Sequence, residues 1–234
     1  MNGPARKVDG LLFDKDGTLF DFHTTWSTWA GELIEDLAGG DTQVRARLAR
    51  EMHYDLATRR FRPTSPIIAG TNREAAECVA RALPDREVAD LELYLMQTSA
   101  TAPQAEAVPL IPFLAALKAE GIALGVATND TEYGARAHLG EADVTGFFDF
   151  IAGFDSGHGA KPEPGPCLAF ARATGLPPAR VAMVGDSTHD LIAGRAAGMQ
   201  TIAVLTGPAP DEALRAHADV VLPDIGRIPD WMTA

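Results

Sequence analysis

Basic residues are scarce in this chain: 20 Lys and Arg stand against 32 Asp and Glu over 234 residues, a net charge of −12. That balance argues against a nucleic-acid partner, because a phosphate backbone demands a basic footprint. It only mildly disfavours anionic small molecules, since local charge can oppose the global sign. Cysteine is equally sparse. Cys78 and Cys167 form no CxxC pair, and each lies in an apolar, helix-like stretch. Both read as small buried hydrophobes in a reduced setting. No apolar run approaches the roughly 18 residues needed to span a bilayer. The opening MNGPARKVDG carries no apolar segment of the kind that marks a secretory leader. A cytoplasmic protein without a membrane partner is expected. Repeats and low-complexity tails are also lacking. The 46% hydrophobic content and the chain length suffice for a full core, in one large domain or two smaller ones.

What the chain does have is concentrated first in Val8 to Phe20, VDGLLFDKDGTLF. An apolar run ends abruptly in Asp14 and Asp16, followed at once by Gly17-Thr18. Strand alternation sends both carboxylates to one side and Lys15 to the other. Two anions on one side repel unless a cation lies between them or one is protonated. The pattern suggests a hard divalent metal beside a carboxylate nucleophile.

From Phe20 to about Pro103 the texture is helical. Trp26, Trp29, Leu33, Ile34 and Leu37 recur at helix spacing after Thr24 or Thr25 as a cap, and Gly39-Gly40 closes the segment. Further helices are predicted over Thr42 to Thr58, Asn72 to Ala82 and Arg86 to Thr98. Pro63 to Pro66 and Gly70 mark a loop. From Val108 onward, short apolar runs (Ile122 to Ala127, Phe150 to Gly153, Val181 to Val184, Thr201 to Leu205) alternate with helix-like segments. That alternation predicts βαβ units and a parallel sheet, to which Val8 to Phe13 also belongs. The helical block is then an insertion, with the Ala- and Pro-rich Ser99 to Pro109 as the return linker. The division is residues 1–20 and 104–234 for the α/β core and 21–103 for the insertion.

Several strands end in polar groups: Thr128-Asn129-Asp130 after one, Gly185-Asp186 and on to Asp190 after another, and Lys161 in the loop between them. Ligands of open parallel sheets bind outside the carboxyl ends of the strands. Singly, each feature has an ordinary reading. Asp-x-Asp arises by chance and in metal-dependent sugar transferases, and Thr128-Asn129 is equally a helix N-cap. Lys161 is equally a solvated loop residue, and Asp186 with Asp190 a cap plus a surface charge. Their joint placement in this order favours function.

The combination resembles the haloacid dehalogenase-like hydrolase superfamily, and within it the phosphatases. FDKDGTLF is similar to the first motif, VATND to the second, AKPEPGP to the third and VGDSTHDLIAGRAAG to the fourth. The insertion resembles the cap of the phosphoglycolate phosphatase-like branch. The implied fold is α/β, a Rossmann-like doubly wound parallel sheet with an inserted all-helical cap. The resemblance implies Asp14 as nucleophile forming an aspartyl-phosphate, and Asp16 as acid and then base. It implies Mg²⁺ held by Asp14, Asp186 and the Asp16 backbone carbonyl, with Asp190 ordering a metal-bound water. Thr128 and the Asn129 backbone would bind phosphoryl oxygens at a helix N-terminus. Lys161 would neutralise charge on the nucleophile and the transferring group. Gly17 permits the sharp turn, and Thr18 hydrogen-bonds within it. An acid at position 16 favours phosphate ester hydrolysis over dehalogenation or phosphonate cleavage. Lys15 departs from the usual apolar residue and reads as a buried or half-buried ion-pair partner.

The cap would choose the substrate, a small phosphorylated metabolite. Arg59, Arg60 and Arg62 form a basic cluster that is either a solvated helix end or a clamp for a second anionic group, such as the carboxylate of phosphoglycolate. His23 and His189 are candidates beside structural roles, and Trp26 with Trp29 reads as cap core rather than substrate platform. Competing functions are a phosphosugar mutase of β-phosphoglucomutase type, a phosphorylatable signalling receiver and a non-catalytic binding module. A receiver groups its acidic residues differently and lacks a large insertion after its first strand.

Overall fold

A computed structural model describes residues 6–233. Residues 1–5 and 234, the ends of the expected core and the site of the leader reading, lie outside the described residues. Among those described, six strands form one wholly parallel sheet in the order β5-β4-β1-β6-β7-β8. They are β1 (Gly10–Phe13), β4 (Ala123–Ala127), β5 (Phe150–Ala152), β6 (Val181–Gly185), β7 (Gln200–Val204) and β8 (Val220–Leu222). β1 is central, pairing Phe13 with Val126 on one side and with Val184 on the other. β8 was not among the predicted strands; it is a short edge strand and only half-buried, so its apolar signal is weak.

Alternation along β1 splits the core into two faces. Leu11 and Phe13 pack against α5 (Leu110–Ala119), α6 (Glu132–Glu141) and α10 (Ile228–Thr233). Leu12 packs the other way, with Phe170 of α7 (Gly165–Thr174) and Ala193 of α8 (Thr188–Ala196). Leu214 of α9 (Asp211–Arg215) extends this covering. Burial on both faces is why the strands read as unbroken apolar runs. The chain winds outward from β1 to β5, then returns to β6, so neighbouring crossovers diverge beside β1 and leave a crevice at its carboxyl end.

Residues 22–102 build a second apolar cluster of their own. It is assembled from α1 (Thr28–Ala38), α2 (Thr42–Glu51), α3 (Asn72–Ala82) and α4 (Val88–Ser99). The capping at its start differs from expectation: Asp21, not Thr24 or Thr25, accepts from the Thr24 N–H and hydroxyl. α2 also stops seven residues before the predicted Thr58. His53 takes a left-handed φ of 50°, and β2 (Tyr54–Asp55) pairs with β3 (Arg60–Phe61). The Asp55 carboxylate accepts from the Ala57 and Thr58 N–H groups, so a local side-chain bond competes with helix there. The insertion is therefore helical apart from this two-residue ribbon. Its two connections to the sheet run side by side, with Asp21 N–H donating to Ala105 and Ala107 N–H to Leu19. No helix among the described residues is long and apolar enough to cross a membrane.

Candidate active site

β1 ends at Phe13, and Asp14 continues its ladder by donating its N–H to the Val184 carbonyl at 2.8 Å. The chain then turns back tightly, Gly17 donating to the Phe20 carbonyl. Gly17 is required twice over. Its φ is +77°, and a Cβ there would lie 2.4 Å from Asp186 Oδ2. Gly207, in the loop after β7, closes the other side of Asp186, where a Cβ would come within 1.7 Å of Oδ2. Thr206 ties that loop to the first, donating to the Gly17 carbonyl at 2.6 Å. Sequence reading missed Gly207 and Thr206, because one Thr-Gly after a strand is also an ordinary turn. Thr18 does not play its expected part; it is buried, and its hydroxyl has no partner among the described residues.

Three of the predicted carboxylates converge. Asp14, Asp186 and Asp190 each bring an oxygen within 4.8 Å of the others. Lys161 reaches into them, 2.7 Å from Asp14 Oδ1 and 2.6 Å from Asp190 Oδ1. All four residues are buried. Burial lifts the Asp14 carboxyl to about 7; Lys161 only partly offsets this, and Asp190 and Asp16 add to it. Burial, then the charges of Asp14 and Asp190, raises Asp186 well above the usual carboxylate range. Burial works against the Lys161 ammonium, but Asp14 and Asp190 overcome it and its pKa is raised. One ammonium among three carboxylates leaves excess negative charge. A hard, oxygen-seeking divalent cation such as Mg²⁺ fits that deficit and this donor set. Both Asp190 oxygens are already engaged, Oδ1 by Lys161 and Oδ2 by the N–H and hydroxyl of Ser187.

Asp16 goes elsewhere. Because the strand has ended, alternation no longer governs the second aspartate, and its carboxylate meets Lys15 at 2.8 Å instead of standing beside Asp14. Lys15 is fully buried on the α6 side of β1, as a buried ion-pair partner should be. It also pairs with Asp130 at 3.2 Å and donates to His138 Nδ1 at 2.7 Å. His138 donates through Nε2 to the Ser99 carbonyl, which requires the neutral Nε2–H tautomer. Burial, then Lys15, lowers the His138 pKa in the same sense. Burial opposes the Lys15 charge, but Asp16 and Asp130 raise its pKa nonetheless.

The second motif lies beside this group, though not as a cap. α6 is capped by Thr131, whose hydroxyl accepts from Gly134 N–H, so Thr128-Asn129 falls three residues and two residues earlier. Thr128 Oγ1 accepts from Asp130 N–H, and the residue lines the cavity with its hydroxyl proton still free to donate. The Asn129 side chain is a brace. Its Oδ1 accepts from Lys161 N–H at 2.9 Å, and its Nδ2 donates to the Lys161 carbonyl at 2.8 Å and the Ala69 carbonyl at 3.0 Å.

These groups line one cavity of about 70 Å³, with Asp14, Asp16, Thr128, Asn129, Lys161, Asp186 and Asp190 at its floor. The insertion supplies the opposite wall, including Phe22, Trp26, Trp29, Ile67 and Ile68. Trp26 and Trp29 are thus cavity-lining as well as packed in the insertion, which helical spacing alone did not separate. His189 lines the cavity too, donating from Nδ1 to the Ala69 carbonyl at 3.1 Å. The basic cluster does not reach it. Arg59 and Arg60 line a separate depression with His23, whose pKa is lowered by burial and then by Arg60. Arg62 is exposed and lines neither. The left-handed turn at His53 and the ribbon carry these side chains away from the floor, so the expected carboxylate clamp is not assembled there. Cys78 and Cys167 are buried as expected, and burial pushes the Cys167 thiol up to about 12.

Two variants test this wiring. Lys15→Met should cost ~3–5 kcal/mol of stability, because it strands the Asp16 and Asp130 carboxylates without their cation. Adding Asp130→Asn should recover part of that in urea unfolding; a loss under ~1 kcal/mol would contradict the pairing. Asn129→Ala should lower turnover by about 10²-fold by loosening the Lys161 backbone, at a stability cost of about 1–3 kcal/mol for the backbone groups left unpaired. Steady-state kinetics checks this, and a change below about twofold counts against the brace.

Comparison with known proteins agrees with the geometry. A phosphoglycolate phosphatase of Neisseria meningitidis is 30% identical over 235 residues, covering 98% of this chain and 94% of that protein. The phosphoglycolate phosphatase of Escherichia coli K12 is 28% identical over 236 residues, covering 93% and 88%. The crystal structure of a predicted phosphoglycolate phosphatase from Haemophilus somnus has the same fold, with a TM-score of 0.72 at 20% identity over 96% of this chain and 98% of that one. The family model for haloacid dehalogenase-like hydrolases matches residues 8–198, from β1 through the end of α8, and the chain belongs to that family.

Proposed function

We propose that this hydrolase is a Mg²⁺-dependent phosphatase that cleaves a small phosphomonoester through an aspartyl-phosphate. The observation that carries the reading is the buried Asp14–Lys161–Asp190 ion triad beside Asp186, with Asp16 held in the same cavity by a different lysine. The curated relatives named as phosphoglycolate phosphatases support the same reaction class. Residues 21–103 act as the cap over the site, with residues 1–20 and 104–234 as the core.

Asp14 attacks phosphorus, and the bond to the leaving oxygen breaks as Asp16 passes it a proton. Water then attacks the aspartyl-phosphate, giving its proton to Asp16 and releasing phosphate and the free Asp14 carboxylate. Lys161 offsets charge on Asp14 and on the transferring group. Thr128 donates its hydroxyl proton, and the Asn129 N–H lies beside it, to phosphoryl oxygens. Asp14, Asp186 and the Asp16 carbonyl would hold Mg²⁺, which when bound screens the repulsion between carboxylate and phosphate dianion. Asp190, with both oxygens engaged, orients that group from behind. The neighbouring lysine fixes where Asp16 points.

Asp14→Asn should abolish Mg²⁺-dependent release of phosphate from p-nitrophenyl phosphate, and equal activity in both proteins would remove Asp14 as nucleophile. Asp16→Asn should lose about 10²- to 10⁴-fold with an alkyl phosphate. Conversion of a hexose 1-phosphate to its isomer without free phosphate would overturn hydrolysis in favour of a mutase.

The raised carboxyls also set a pH dependence. Asp14 is at about 7 in the folded chain against 3.8 for an unperturbed aspartate. The metal-free folded state therefore binds more protons across that window, and its stability falls as pH rises through it. In chelator, Tm should drop between about pH 5 and pH 8, and Mg²⁺ should restore more at the higher pH. A Tm that rises with pH in chelator would contradict the assignment.

A further inference from the structure

The cavity has two unlike ends, and the second one carries information about the alcohol half of the substrate. Opposite the phosphate floor stand Phe22, Trp26, Trp29, Ile67 and Ile68, all from the insertion. The two indoles meet edge-on, with ring centroids 5.2 Å apart at 90°. Ile67 and Ile68 are only half-buried and pack against the same cluster, so part of their apolar surface is left to face a ligand.

Cations near this wall are already committed. Lys161 is held by Asp14 and Asp190, and Lys15 by Asp16 and Asp130. Arg59 and Arg60 lie in the other depression. Among the described residues that line the cavity, the other group able to carry positive charge is His189. Its Nδ1–H is spent on the Ala69 carbonyl, which ties the ring to the insertion's backbone. The insertion's polar lining residues are engaged as well: the Thr71 N–H and hydroxyl donate to the Glu74 carboxylate, and the Asn72 side-chain amide donates to the Glu92 carbonyl. A carboxylate on the substrate would have to shed water against aromatic and branched aliphatic side chains with no uncommitted lysine or arginine to receive it, a costly transfer. An uncharged apolar group gains from the same surface, and a flat ring gains most beside edge-on indoles.

Resting on the phosphatase reading above, we infer that the site selects phosphomonoesters whose alcohol portion is uncharged and apolar, an aromatic or branched-alkyl alcohol, over those with a second anionic group. The wall does the choosing, and the floor is indifferent to it.

The test compares benzyl phosphate, isobutyl phosphate and 2-phosphoglycolate with the full chain and Mg²⁺. All three leave as aliphatic alcohols protonated by Asp16, so their ratio reports recognition of the organic group. Expected is a kcat/KM for benzyl phosphate about tenfold or more above that for 2-phosphoglycolate, with isobutyl phosphate between them. Ile68→Arg, which places a cation on the wall, should shrink that ratio by about tenfold or invert it. A wild-type ratio below about tenfold overturns the inference and leaves the phosphatase reading standing; so does an Ile68→Arg ratio equal to the wild-type one. Absence of Mg²⁺-dependent turnover with all three esters and with p-nitrophenyl phosphate overturns both.

Discussion

Lys161 sits between two carboxylates, 2.7 Å from Asp14 and 2.6 Å from Asp190, and the rest of the site is arranged around that contact. The partners come from the end of β1, the loop before α7 and the first turn of α8, with 147 residues separating Lys161 from Asp14. A parallel sheet puts the carboxyl ends of all its strands on one edge, which brings residues this far apart in sequence together. Burying an ammonium and three carboxylates together is costly, and the fold keeps them there by giving each further bonds. Ser187 holds Asp190, Asn129 holds the Lys161 backbone on both sides, and two glycines, Gly17 and Gly207, make room for Asp186.

The second lysine explains why two aspartates only two residues apart are unlike. β1 divides the region into two electrostatic compartments, each with its own cation. Lys161 serves Asp14 on the α7–α8 side, and Lys15 serves Asp16 and Asp130 on the α6 side. This separation leaves Asp14 and Asp16 free to take the two different parts that the proposed mechanism gives them. Lys15 also ties the catalytic loop to the insertion, through His138 to the Ser99 carbonyl and through a 5.4 Å approach to the Trp26 ring.

The insertion meets the core at a point as well as along a wall. The carbonyl of Ala69 accepts from both Asn129 and His189, so one backbone group of the insertion is held by two core motifs. The cavity lies between this junction and the acidic floor. Under the proposed function the charged floor recognises what all phosphomonoesters share, and the apolar wall what distinguishes them.

Much of this was legible in the chain. The apolar runs and the polar groups that end them located five of the six strands, the order of the motifs and the residues at the floor, because burial on both faces and chemistry at strand ends leave local marks. The buried pairing of Lys15 followed from its being a lone cation at the end of an apolar core strand. Other features left no such mark. β8 is too short and too exposed to stand out, and α2 ends where one aspartate bonds its own backbone. The basic residues Arg59 and Arg62 looked like a clamp, but the ribbon turns them outward. Helical spacing told that Trp26 and Trp29 pack in the insertion, not whether a cavity opens against them. The sequence by itself determined the sheet and the reactive groups, since each depends on residue type at a local spacing. Which carboxylate each lysine holds, and which wall faces the acidic floor, only the tertiary structure decided, because those contacts join residues whose neighbours in sequence carry no record of them.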